Sequence, residues 1–244
     1  MLTAEVLAAE DLHIWQTTLD VGGDEATRLS RILSDDELAR AARFRFDRDR
    51  IRYIAGRAQL RMLLADYVDA APAELVFEYG ANNKPSLAGR GPHFNLTHSG
   101  ALALYAVCAD VEVGIDVELY DPEFAGERIP ERFFAPDEVL ALRAIPEELQ
   151  ARGFLELWTR KEAFIKARGD GLSLALDSFS VTLGRDRPKL IRTGWSRSEP
   201  SRWSFLDLSD KDGKFVAAVA AKTEEWRAVR YRVGAFPGQL EAEN

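Results

Sequence analysis

The chain has 244 residues, of which 46% are apolar and 30% charged, and a formal net charge of −8 at pH 7. This composition suits a soluble globular protein with a well-buried core, argues against disorder and makes a general nucleic-acid binder a poor fit. No stretch approaches the ~20 apolar residues of a membrane span, the N-terminus lacks a secretory pattern, and the single cysteine, Cys108, allows no intrachain disulfide.

In chain order, alternation over residues 12–19 predicts a first strand. Ser34, followed by Asp35, Asp36 and Glu37, is an N-cap with a capping-box glutamate and opens a helix reaching about Phe44. A second helix over 47–69 carries Ile51, Ile54, Ala58, Leu60, Leu63 and Leu64 toward a core. Residues 40–61 hold eight arginines (Arg40, Arg43, Arg45, Arg48, Arg50, Arg52, Arg57 and Arg61) against Asp47 and Asp49. That excess is too large for pairing within the segment, so an anion or an acidic protein surface is expected nearby.

Residues 75–79 read as a strand and 80–85 as a turn. Residues 102–109 and 111–119 are apolar strands that pair or bend across a tight connection. Helices follow over 136–143 and 146–168, with proline at the first turn and Gly169 as the stop. Further strands are expected over 178–183, 203–208, 215–222 and 229–234, with 192–201 as a polar loop. Helix then strands in each half hints at a duplicated α+β unit, although no identity between the halves establishes it.

Two strings carry the chemistry. In VGIDVE, Val113, Ile115 and Val117 alternate with Gly114, Asp116 and Glu118, so the two carboxylates leave one face of a strand. The surrounding apolar run implies a central strand, where a carboxylate is costly unless paired or metal-bound. In WTRKEAFIKARGDGL, Trp158, Glu162 and Lys166 recur every four residues on one helix face, with Lys161 beside them and Trp158 read mainly as core, flooring the site. Three carboxylates offer oxygen ligands to a hard cation such as Mg²⁺, and ammonium groups neutralise phosphate oxygens the metal does not reach. In FNLTHSG, His98 and Ser99 are placed to donate to phosphate oxygens at the entrance of a strand. No G-x-S-x-G elbow surrounds Ser99, and three histidines are too few for a His-rich zinc site. These residues describe a metal-dependent enzyme acting on a phosphorylated substrate.

The strings FNLTHSG, VGIDVE, RFFAPDE, LWTRKEAFIKARGDGLSL and LDSFSVTL, in this order, resemble the Sfp-type 4′-phosphopantetheinyl transferases over residues 34–183. The resemblance implies an α+β fold of two similar halves related by pseudo-twofold symmetry, residues 1–109 and 110–244, with the active site in the cleft between them. It implies Mg²⁺-dependent transfer of the phosphopantetheine arm of coenzyme A to a serine of an apo acyl or peptidyl carrier protein, releasing 3′,5′-ADP. The carrier would belong to a fatty-acid, polyketide or nonribosomal-peptide synthase, and the enzyme would be a cytoplasmic monomer.

Matched position by position, Asp116, Glu118 and Glu162 are metal ligands, and Lys161 and Lys166 lie beside the pyrophosphate. His98 and Ser99 contact phosphate, Lys84 and Pro85 line the adenine, and Arg40, Arg43 and Arg52 surround the 3′-phosphate. Glu138 matches a glutamate near the metal site. Glu162, Lys166 and His98 are the expected catalytic groups, with Glu162 taking the serine proton directly or through a metal-bound water. Two positions depart from the family pattern: Glu37 stands where some members have lysine, and Asn83 replaces a glycine before Lys-Pro. The competing readings are a phosphohydrolase or nucleotidyl transferase using the same carboxylates, and a non-catalytic coenzyme A-binding module.

Overall fold

The alternating start of the chain forms β1 (Asp11–Thr18) in the computed structural model, which describes residues 7–9, 11–89, 91–120, 130–184, 186, 188–224, 226–233 and 240–243. Helix α1 (Gly23–Ser30) follows, then α2 (Asp35–Ala41), opened by a bond from the Ser34 N–H to Glu37 Oε2 at 3.0 Å. Helix α3 (Asp47–Val68) has Asp47 and Asp49 in its first turn, where the helix dipole favours acids, and ends at Asp69 in the left-handed region, φ 49°. The short strands β2 (Phe77–Tyr79) and β3 (Pro85–Leu87) make a hairpin, followed by β4 (His93–Ser99) and β5 (Leu102–Cys108).

Strand β6 (Val113–Leu119) precedes the one-turn helix α4 (Pro130–Phe133), α5 (Pro136–Ala144) and α6 (Glu147–Arg168). Glutamates open α6, Lys166 and Arg168 occupy its last turn, and Gly169 closes it at φ 75°, a conformation that costs glycine little. Strands β7 (Phe179–Val181), β8 (Leu190–Thr193), β9 (Ser204–Asp207), β10 (Phe215–Ala221), β11 (Arg227–Val233) and β12 (Leu240–Glu243) complete the described chain.

The chain divides into two compact units. The first comprises residues 1–80, 85–110 and 227–244, and the second 81–84 and 111–226. Among the described residues, the first unit holds a sheet in the order β12-β11-β1-β5-β4, with α3 supplying Leu60, Leu63 and Leu64 to a core shared with Trp15, Phe94 and Tyr105. The second holds a sheet in the order β6-β10-β9, with α6 supplying Phe154, Leu157 and Phe164 to a core with Phe179, Trp203 and Phe205. Each unit is therefore an α+β body in which one 22-residue helix belongs to the core of a small sheet.

Several expectations change. The strands at 102–109 and 111–119 do not pair: β5 lies between β1 and β4, whereas β6 pairs with β10 in the other unit. Strand β6 is an edge of its described sheet rather than a central strand, and its apolar character reflects the packing of α6. The last strands do not belong with 110–226, because β11 runs parallel to β1 and joins the first unit. Residues 93–99 themselves form a strand, so His98 and Ser99 end β4 as well as preceding β5. Part of the polar loop expected at 192–201 is β8, paired with β7.

Candidate functional site

The second unit brings four of the expected residues together. Asp116 is buried on β6 and pairs with Ala218 on β10, and Lys166 Nζ reaches Asp116 Oδ1 at 2.5 Å and the Ile115 carbonyl at 3.3 Å. One helical turn before Lys166, Glu162 is partly buried. Burial raises the Glu162 carboxyl above the ordinary glutamate range, the charges of Asp116 and Glu118 raise it further, and Lys166 opposes them. Three carboxylates and one ammonium thus share one electrostatic environment across β6 and α6. Another turn back, Trp158 stacks on Phe154 and meets Phe133 edge-on, at the margin of the core.

The strand approaches the helix so closely because residue 114 is glycine. A Cβ there would fall far inside van der Waals contact with the Ala163 carbonyl oxygen and the Ala167 nitrogen. An isolated glycine within an apolar strand pattern is the signal that could have revealed this close approach.

The donor set is all oxygen and carries more negative charge than Lys166 neutralises, which suits a hard divalent cation. Among the described residues, however, no group of three or more His, Cys, Asp or Glu side chains is arranged to hold a metal ion. The chemistry of the set fits Mg²⁺, while the Lys166 ammonium stands beside Asp116.

Lys161 is not with this group. It is 0% exposed, and its Nζ is bonded to Glu138 Oε2 at 2.7 Å and to the carbonyls of Leu176 at 2.8 Å and Phe179 at 2.6 Å. An ammonium with three acceptors has no N–H left for pyrophosphate. Glu138 is equally internal: it accepts from the N–H groups of Ala135 and Val181 and joins α5 to β7. Lys161 and Glu138 therefore form a buried structural pair.

Lys84 belongs to the second unit, where its Nζ bonds Glu112 Oε2 at 2.5 Å and the carbonyls of Val113 and Ala167, both at 3.2 Å. Its ammonium is likewise fully used, leaving only methylenes for an adenine. Asn83, which replaces the expected glycine, has φ 60°. Asparagine tolerates this left-handed conformation better than most residues, so the substitution keeps the glycine-like backbone.

The other expected residues lie in the first unit. His98 is exposed and Ser99 half-buried at the end of β4, where Gly100 turns the chain into β5 with φ 58°. Pro85 begins β3. Arg40, in the last turn of α2, and Arg43, just beyond it, are exposed, and Arg40 sits 5.6 Å from the Tyr53 ring centroid. Arg52 Nε contacts Asp20 Oδ1 at 2.8 Å.

The arginine-rich segment is more fully paired than its composition implies. Arg57 and Arg61 both bond the buried Glu37, Arg50 meets Asp47 and Arg48 meets Asp49. Glu37 and Asp20 lie outside the segment, which is why a local charge count misses them. Among the described residues, Arg40, Arg43 and Arg45 have no acidic partner within ion-pair distance. Where some family members carry lysine, Glu37 is thus an internal anchor for two arginines.

Two family models cover most of the chain. One, the 4′-phosphopantetheinyl transferase superfamily, matches residues 112–220. The other, the N-terminal region of 4′-phosphopantetheinyl transferases, matches residues 20–110. The chain is 38% identical over 225 residues to 4′-phosphopantetheinyl transferase HetI of Nostoc sp., covering 91% of this chain and 92% of that protein. It is 37% identical over 200 residues to a 4′-phosphopantetheinyl transferase of Bacillus subtilis, covering 81% and 85%. To the human L-aminoadipate-semialdehyde dehydrogenase-phosphopantetheinyl transferase it is 29% identical over 214 residues, covering 80% and 69%.

Proposed function

The chain belongs to the 4′-phosphopantetheinyl transferase family and is an enzyme of that type, and from this premise we propose that it moves the phosphopantetheine arm of coenzyme A to a serine of an apo carrier protein, with Mg²⁺, releasing 3′,5′-ADP. The observation that supports the site assignment is the 2.5 Å bond from Lys166 Nζ on α6 to Asp116 Oδ1 on β6, one helical turn from Glu162.

In this reading Asp116, Glu118 and Glu162 hold Mg²⁺, which when bound neutralises the pyrophosphate oxygens. The carrier serine Oγ forms a bond to the β-phosphorus, the bond from that phosphorus to the oxygen of 3′,5′-ADP breaks, and Glu162 takes the serine proton. Lys166 and His98 share the charge on the phosphate oxygens, Ser99 donates to them, and Arg40, Arg43 and Arg52 take the 3′-phosphate. Pro85 and the Lys84 methylenes contact the adenine.

The test is mass spectrometry of apo acyl and peptidyl carrier proteins incubated with the enzyme, coenzyme A and Mg²⁺. The expected result is a carrier heavier by one phosphopantetheine and an equal amount of 3′,5′-ADP, both lost in Asp116→Ala. Nucleotide released at the same rate without carrier would instead favour a phosphohydrolase.

A further inference from the structure

The last turn of α6 leaves carbonyls that the helix itself does not satisfy. The Gly169 N–H takes the Ile165 carbonyl at 3.0 Å, and two side chains from residues 81–84 reach others: Lys84 Nζ takes Ala167 and Asn82 Nδ2 takes Gly169, at 3.2 and 2.7 Å. The same Lys84 ammonium bonds the carbonyl of Val113, the first residue of β6, and the Glu112 carboxylate just before it. A cation at a helix C-terminus is favoured by the helix dipole as well as by its hydrogen bonds. The tie lies next to the point where Gly114 admits the α6 backbone, at Ala167, the residue after Lys166 and about a turn and a half beyond Glu162.

We propose that Lys84 is a positioning residue for the transfer reaction: its ammonium ties the end of α6 to the start of β6 and, with Asn82, fixes the spacing between Glu162 and Lys166 on the helix and Asp116 on the strand. This rests on the function proposed above but assigns Lys84 a role other than contact with the nucleotide. Without the tie, the helix end and the strand would still pack through Gly114, but Lys166 and Asp116 would lose a fixed separation.

The experiment compares Lys84→Met, which keeps the methylenes, Lys84→Arg, which keeps the charge, and the milder Asn82→Ala. Amide hydrogen exchange on the full chain, without coenzyme A or metal, is expected to rise about tenfold at residues 165–169 and 113–115 in Lys84→Met. The rise should be smaller in Asn82→Ala, and residues 155–160 should stay unchanged. In turnover assays Lys84→Met should lower kcat and raise the Mg²⁺ concentration for half-maximal rate, keep KM for coenzyme A within about twofold, and be partly rescued by Lys84→Arg. A fall in thermal stability with unaltered Mg²⁺ dependence would reduce Lys84 to a structural role. Unchanged exchange at both segments, or a raised KM for coenzyme A with kcat intact, would overturn the proposal in favour of an adenine contact. If the wild-type protein modified no carrier, the transferase reading would fail, while the exchange measurement would still decide whether the tie exists.

Discussion

The carbonyl oxygen of Ala163 on α6 occupies the space where residue 114 of β6 would carry a Cβ, so the helix bearing Glu162 and Lys166 can approach the strand bearing Asp116 only because that residue is glycine. Backbone atoms cannot swing aside as a side chain can. Gly114→Ala must therefore push α6 from β6, costing at least the ~1–3 kcal/mol of an overpacked core. Denaturant unfolding should show the loss, and the surviving folded fraction should turn over more slowly than wild type. A variant with wild-type stability would mean that the two elements do not meet this closely.

Glu37 gives a pH dependence whose sign is fixed. Burial pushes its carboxyl up, but hydrogen bonds from Arg61, the Ser34 N–H and Arg57 outweigh burial and hold it below the ordinary glutamate range. A carboxylate depressed on folding contributes stability that is fully present above the unfolded value of ~4.3 and is lost as pH falls through the folded value. Stability measured from pH 7 downward should fall across that acid window. Glu37→Gln should flatten the fall and lower stability at pH 7 by ~3–5 kcal/mol, since two guanidinium groups lose their buried counter-charge. An unchanged acid limb in the variant would remove Glu37 as its source.

Arg52 is shared between a neighbour and a proposed ligand. Its partner Asp20 is largely exposed, so their ion pair is worth only ~0–1 kcal/mol. If Arg52 holds the 3′-phosphate, Arg52→Ala should raise KM for coenzyme A by about tenfold or more and leave dephospho-coenzyme A, which lacks that phosphate, nearly unaffected. Asp20→Asn should act in the opposite direction, lowering KM for coenzyme A by no more than about fivefold. Equal effects on both substrates would move Arg52 to a structural role.

What could be read in the sequence was what depends on local periodicity. Period two placed Asp116 and Glu118 on one face of β6, and period 3.6 placed Glu162 and Lys166 on one face of α6. The same rule separates Lys161 from them, because the residue next to Glu162 points about 100° away, and here that direction leads into the core. Non-local relations were not legible. Nothing in residues 102–119 says that adjacent apolar strands enter different sheets, or that β11 returns to lie beside β1. The partners of Arg52, Arg57 and Arg61 also lie 20 to 32 residues away in the chain. Asn83 looked like a loss of glycine from the family pattern, yet only its φ shows that the backbone role is kept.

Lys161 offers the sharpest separation of packing from chemistry. Burial lowers its ammonium below the ordinary lysine range while Glu138 opposes the shift, and burial raises the Glu138 carboxyl while Lys161 opposes that. Each charge is tolerated because the other is 2.7 Å away. Lys161→Met keeps much of the volume but strands the carboxylate, and should cost ~3–5 kcal/mol. Glu138→Gln strands the ammonium and should cost a similar amount, although its amide oxygen still accepts from a backbone N–H. The double variant buries neither charge alone, so its loss should be clearly smaller than the sum, giving a coupling energy of ~0.5–3 kcal/mol. Calorimetry on the folded double variant should find coenzyme A affinity within about twofold of wild type, because no N–H that reached the pyrophosphate has been removed. A large loss of affinity with little loss of stability would return Lys161 to the phosphate site.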